Sequence, residues 1–171
     1  MNTIILSIGS NINKEYNIFQ CLELLKSSYG KIIKSSIYET FKVNNDNSIE
    51  INNNENNFWN LIIKINTSET YPIFYKKIKN IENQLGRIRK KNDKAYDRTI
   101  DIDIILFNQE VIYQNNEIKV PHKELGNCFY VDIPLLDLDP FIVHPLLNKT
   151  IQEIVNKEYL EKSNNFIKKI N

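Results

Sequence analysis
The chain has 171 residues, of which 42% are hydrophobic and 25% charged, and its formal net charge is +1. That size and balance suit one soluble globular domain spanning 1–171, and the near-neutral charge excludes a wholesale nucleic-acid or membrane-surface binder. Cys21 and Cys128 form neither a disulfide framework nor a zinc spacing, and the apolar run at 4–8 is too short for a signal peptide or membrane span, so a cytoplasmic protein is expected.

Residues 3–8 read as a first strand ending in Gly9-Ser10-Asn11, where glycine permits a tight turn or a close approach to backbone. A helix follows, with Ile18, Cys21, Leu22 and Leu25 at helical spacing, Asn13 as N-cap and Gly30 as its end. Residues 31–38 read as a second strand. The stretch 41–57 is rich in asparagine and short of anything that packs, which marks a mobile loop beside an active site or plain disorder. Residues 58–67 form a third strand that carries Asn60, a side chain that needs amide partners if buried. Pro72 opens a second helix, Phe74, Ile78, Ile81 and Leu85 are its stripe, and Gly86 closes it. Glu82 lies on the rim of that stripe.

Residues 87–107 organise the rest. From Arg87 to Arg98 six cations face only Asp93 and Asp97, so the loop is locally basic. It feeds a strand at 100–107. Alternation points Ile100, Ile102, Ile104 and Leu106 one way and Asp101 and Asp103 the other, with Cα atoms roughly 7 Å apart. Two carboxylates that close repel by roughly 3 kcal/mol at an effective dielectric near 20. A hard divalent cation with oxygen ligands is the simplest compensation, and cations running into a carboxylate pair suit polyphosphate plus metal. A solvated Asp-x-Asp on a half-exposed sheet is the bland alternative.

A hairpin is expected at 110–120, a short helical turn at 121–125, a further strand at 129–133, and helical, peripheral structure at 151–170. His122 follows a proline that ends a strand and comes beside the site if the hairpin folds back, whereas His144 has no such argument. The order strand-helix-strand, strand-helix-strand is the α+β ferredoxin-like split βαβ sandwich, a mainly antiparallel sheet with helices on one side.

The motifs resemble the 6-hydroxymethyl-7,8-dihydropterin pyrophosphokinase family. They are Ile8-Gly9-Ser10-Asn11, Tyr38-Glu39-Thr40, Phe58-Trp59-Asn60, Ile81-Glu82, Gly86-Arg87-Ile88-Arg89, Arg98-Thr99-Ile100-Asp101-Ile102-Asp103-Ile104, Val120-Pro121-His122 and Pro134-Leu135. The resemblance covers nearly the whole chain in order. It implies transfer of diphosphate from ATP to the hydroxymethyl group of the reduced pterin, leaving AMP, in folate biosynthesis. It implies two magnesium ions held by Asp101 and Asp103, with Arg87, Arg89, Arg98 and His122 along the triphosphate. Arg87, Arg98, Asp101 and Asp103 would form the catalytic set. Glu82 and Lys119 would touch the nucleotide. Thr40, Val43, Asn60 and Asp101 would contact the pterin, its ring between Phe58 and Tyr130. A monomer acting on small molecules, with no nucleic-acid or membrane partner, is expected, and 41–57 and 87–98 would be its mobile loops.

Departures from the family pattern are specific. The basic loop is one residue longer, Ala95, Tyr96 and Asp97 replace the usual tryptophan, glycine and proline, Cys128 stands where arginine is usual, Lys123 where an aromatic is frequent, and Phe41 replaces a proline. They bear on loop contacts and nucleotide affinity, not on reaction type. The competing readings are a non-catalytic RNA-binding module on the same fold and an inactive relative. Against the first, two acids on the central strand would repel phosphate, and the aromatics lack the RNA-binding pattern.

Overall fold
The structure, a computed structural model, describes residues 1–43, 49–50, 57–87 and 97–170. Its centre is an antiparallel sheet of β1 (Asn2–Ser10), β3 (Ile37–Thr40), β6 (Phe58–Thr67), β7 (Asp101–Phe107) and β10 (Ile167–Ile170), in the order β10-β3-β6-β1-β7. The short strand β2 (Ile32–Lys34) pairs with the far half of β6. Helix α1 (Lys14–Tyr29) joins β1 to β2, and α2 (Tyr71–Gln84) joins β6 to β7. Each crossover skips one strand, which is the split βαβ arrangement. Two short ladders, β4 (Lys42–Val43) with β5 (Ile49–Glu50) and β8 (Ile112–Gln114) with β9 (Glu117–Val120), lie off the sheet. No helix among the described residues is long and apolar enough to cross a membrane.

The expected stripes build the first core. Ile18, Cys21 and Leu25 of α1 and Phe74, Ile78 and Ile81 of α2 pack on Ile4, Leu6 and Ile8, on Leu61, Ile63 and Ile65, and on Ile100, Ile102 and Ile104. Each such buried side chain stabilises the fold by about 1.5–3 kcal/mol before conformational entropy is counted.

Helices cover the other face too, against the one-sided expectation. There α3 (Phe129–Leu138) and α4 (Ile151–Ile154) press Val131, Leu135 and Ile151 onto Ile5, Ile62 and Ile105. The segment expected as a strand at 129–133 is thus the start of α3. Val131 and Leu135, four apart, make the buried stripe, and Pro134 is accommodated inside the helix. The tail is likewise not helical throughout. After α5 (Lys157–Ser163) the chain turns at Phe166 and β10 pairs with β3, filling a sheet edge.

Two irregularities also depart from the simple strands. Residues 31–38 divide into β2 and β3 at Ser35, whose hydroxyl accepts the Ile62 N–H at 3.0 Å in place of a ladder carbonyl. In β7 the register against β1 shifts beyond Ile104, a bulge that turns Leu106 to the same face as Ile105. Leu106 therefore does not share the face of Ile100, Ile102 and Ile104.

Candidate active site
Helices α3 and α4 cover only part of their face of the sheet. At the other end, Ser7, Gly9, Asn60, Asp101 and Asp103 line a cleft of about 490 Å³. Strand register sets this floor: Asp103 pairs with Ser7, Asp101 with Gly9, and Gly9 with Asn60. The two acids thus stand on the face opposite α1 and α2, as the alternation requires. Gly9 makes the row possible, because a Cβ there would lie 3.0 Å from Asn60 Oδ1. The Asn60 amide donates to Thr40 Oγ1 at 2.8 Å, so its carboxamide is oriented toward the cleft.

The walls are aromatic and charged. Phe58 and Tyr130 both line the cleft, with Phe41, Phe129 and Phe166 beside them. The Arg98 guanidinium lies 6.0 Å from the Phe58 ring centre and also pairs with Asp101. Arg87 reaches Asp101 from the other side at 3.4 Å. Asp101 is therefore held by two guanidinium groups, whereas no described side chain donates a hydrogen bond to Asp103. Burial, then the charge of Asp101, raises the Asp103 carboxyl above its ordinary value, against the pull of His122 and Lys79.

The return of the basic loop is fastened to the end of β1. Arg98 N–H donates to Asn11 Oδ1 at 2.6 Å, Asn11 N–H donates to the Arg98 carbonyl at 3.1 Å, and the Asn11 amide donates to Asp97 at 2.8 Å. Ser10 Oγ donates to the Thr99 carbonyl at 2.6 Å.

The residues expected at the site divide into groups. Thr40, Phe58, Asn60, Arg98, Asp101, Asp103 and Tyr130 share the cleft lining, and Arg87 joins them through Asp101. His122 flanks it: its N–H donates to the Ile105 carbonyl at 3.0 Å, and its Nδ1 is buried without a hydrogen bond, 3.6 Å from Glu124. Glu82 is not on the cleft wall. It is buried behind β7, accepting the Ile102 N–H at 2.8 Å and pairing with Lys79 at 2.9 Å. Lys119 lies on the hairpin, paired with Glu117 at 2.6 Å. Val43 is in β4, but its side chain and all of Arg89 fall outside the described residues, as do most of the two expected loops.

Sequence reasoning missed Glu124, Asn127, Phe129 and Phe166 as cleft residues. Glu124 sits in a polar turn with no pattern to mark it. Phe166 reaches the site only because the tail returns to the sheet, with its carbonyl accepting the Phe41 N–H at 3.1 Å.

Fold and cleft define the class first: a ferredoxin-like α+β sandwich with a paired-carboxylate cleft on one sheet face. The sequence model of 7,8-dihydro-6-hydroxymethylpterin-pyrophosphokinase (HPPK) matches residues 5–140. The chain belongs to that family. A 2-amino-4-hydroxy-6-hydroxymethyldihydropteridine pyrophosphokinase of Aquifex aeolicus is 32% identical over 154 residues, covering 90% of each chain. One of Helicobacter pylori is 35% identical over 137 residues, covering 78% of this chain and 79% of its own. A crystal structure of a Plasmodium falciparum HPPK-DHPS variant with pterin and p-hydroxybenzoate superposes with a TM-score of 0.75 at 20% identity, over 99% of this chain and 47% of that one. The chain thus spans about half of that longer protein, and this likeness speaks for the fold.

Proposed function
We propose that the cleft on the open half of the sheet is the active centre for the family's reaction. That reaction is pyrophosphoryl transfer from ATP to hydroxymethyldihydropterin in folate biosynthesis. The single observation that carries the site assignment is the row Asn60–Gly9–Asp101. It sets an oriented amide on β6 and a carboxylate on β7, the two strands flanking β1, with only the glycine of β1 between them. A flat heterocycle bound over Asn60 and Thr40, its faces on Phe58 and Tyr130, would carry its hydroxymethyl group toward the aspartates.

The donor set fits magnesium: two carboxylates on one strand face, one of them without a hydrogen-bond donor among the described residues. Asp101 and Asp103 would hold it. Bound there, it would offset the charge of the phosphate oxygens as it develops. The chain's own groups do the rest. Arg87 and Arg98 carry guanidinium forks that grip phosphate as readily as they grip Asp101, and His122 stands at the same edge. The hydroxymethyl oxygen attacks the β-phosphorus and gives up its proton to water, the bond from that phosphorus to the oxygen bridging to the α-phosphorus breaks, and AMP leaves with that oxygen. Positioning and charge supply most of the acceleration, so no dedicated base is required. Every named group comes from one chain, and a monomer suffices.

The test is turnover with ATP, magnesium and 6-hydroxymethyl-7,8-dihydropterin. The expected products are AMP and the pterin diphosphate, and ADP would refute the reaction. Asp103→Ala should lower kcat by roughly 10²-fold or more with the far-UV dichroism unchanged. Wild-type turnover in that variant would remove the aspartate pair from the mechanism.

A further inference from the structure
Beside the aspartate pair lies a cluster of different chemistry. One carboxylate oxygen each of Asp103 and Glu124 and one ring nitrogen of His122 lie within 4.8 Å of one another, all three half-buried. We propose that these three residues form a site for a transition-metal divalent cation, one that fills without nucleotide and does not use Asp101.

Three observations carry it. The backbone of His122 is fixed on both sides, its N–H on the Ile105 carbonyl and its own carbonyl accepting the Leu125 N–H at 3.0 Å. The imidazole is therefore presented by a strand edge and a turn rather than by a free loop. Its Nδ1 is buried yet has no hydrogen bond, although a carboxylate stands 3.6 Å away. A buried ring nitrogen without a hydrogen bond, beside a carboxylate, is left without a close partner, and a metal ion held by both would supply one. Finally, Glu124 sits in a fixed turn, its backbone carbonyl accepting the Asn127 and Cys128 N–H groups, each at 3.0 Å.

The donor set selects the ion. Magnesium prefers oxygen alone, whereas one imidazole with two carboxylates suits manganese, cobalt or zinc. Metal–donor bonds of about 2.0–2.2 Å set three donors about 3.0–3.6 Å apart around one ion, so the widest pair closes by at most about 1–2 Å on binding. Lys79, whose charge reaches Asp103, is engaged elsewhere: its ammonium lies 2.9 Å from Glu82 and 3.0 Å from the Ile102 carbonyl.

The experiment uses the full chain without nucleotide, titrated with Co²⁺ by visible absorption and loaded with Mn²⁺ for pulsed electron paramagnetic resonance. One ion per chain and a coupling to a single imidazole nitrogen are expected. His144, the other histidine, is buried and uses Nδ1 to accept the Leu146 and Leu147 N–H groups, so loss of the coupling in His122→Gln assigns the nitrogen. Glu124→Gln should weaken Co²⁺ binding at least roughly tenfold, and Asp101→Asn should change it by less than about threefold. His122→Gln should remove the nitrogen coupling. Absence of Co²⁺ binding, absence of nitrogen coupling in the wild-type protein, or a loss on Asp101→Asn as large as on Glu124→Gln would each overturn the site. The wild-type spectrum decides the matter even if a variant fails to fold. AMP formation with magnesium plays no part in these readouts, so failure here leaves the catalytic reading untouched.

Discussion

Asn11 holds Arg98 by its backbone from both directions: its side-chain oxygen accepts the Arg98 N–H at 2.6 Å, and its own N–H donates to the Arg98 carbonyl at 3.1 Å. The end of the first strand thereby fixes the point at which the basic loop re-enters the sheet. Arg98 is set over Phe58 and against Asp101 by this clamp. Asn11→Ala keeps the backbone bond and loses the two side-chain bonds, which should lower stability by about 1–2 kcal/mol. A loosened Arg98 should lower kcat/KM for ATP roughly tenfold or more. Steady-state kinetics and a urea melt on the same preparation check this. Wild-type kinetics in a destabilised variant would make the clamp structural only.

Gly9 is opposite both Asn60 and Asp101, and the volume a methyl group would fill is the seat of the Asn60 side-chain oxygen. Gly9→Ala therefore acts on the amide proposed to face the pterin rather than on the proposed phosphate end. The KM for the pterin should rise roughly tenfold, equivalent to about 1.4 kcal/mol, while the KM for ATP moves far less. Equal changes in both would mean that the strand has shifted as a whole.

The central strand was legible from sequence because its chemistry is local. Asp101 and Asp103 alternate with Ile100, Ile102 and Ile104, and a period of two suffices to put the acids together on one face. The pairing of Gly9 with Asn60 is not local: it joins segments some fifty residues apart, and no periodicity in either encodes the register. The start of α3 was misread because Phe129, Val131 and Ile133 alternate like a strand and Pro134 argues against a helix. Its helical state is decided by Val131 and Leu135 meeting the sheet. The tail was misread for a related reason. Ile167 and Ile170 have helical spacing, but the open edge of β3 offers backbone partners that an isolated last turn of helix would lack.

Glu82 also shows why the rim of a stripe is hard to judge. With Lys79 it saturates the outer edge of β7: Glu82 takes the Ile102 N–H and Lys79 donates to the Ile102 carbonyl, so the helix stands in for a missing strand. Ile102 lies between the two aspartates, and this edge contact holds them in register. Glu82→Ala should destabilise the fold by about 3 kcal/mol, because a buried acid is removed and its partners are left behind. Glu82→Gln, which keeps an acceptor for the N–H, should lose less. Hydrogen exchange at the Ile102 amide is the direct readout, and unchanged protection in Glu82→Ala would dismiss the edge role.

Asp132 ties the rim of the cleft to the C-terminal helices, and it does so from full burial. Its carboxylate accepts the Gly126 N–H at 2.8 Å and the Tyr159 hydroxyl. Burial nevertheless dominates, and the acid is raised from 3.8 to about 6. The folded state therefore binds this proton more tightly than the unfolded chain does. The resulting stability is fully present below about pH 4 and is lost as pH rises through about 6, an effect on the order of 3 kcal/mol. Asp132→Asn removes the titration while keeping a side-chain acceptor for Gly126. The stability difference between variant and wild type should shift in the variant's favour by that amount between pH 4 and 7, as measured by urea denaturation at each pH. Parallel stability curves for the two proteins would show that Asp132 is ionised in the fold without penalty, and that the hydrogen bonds from Gly126 and Tyr159 outweigh its burial.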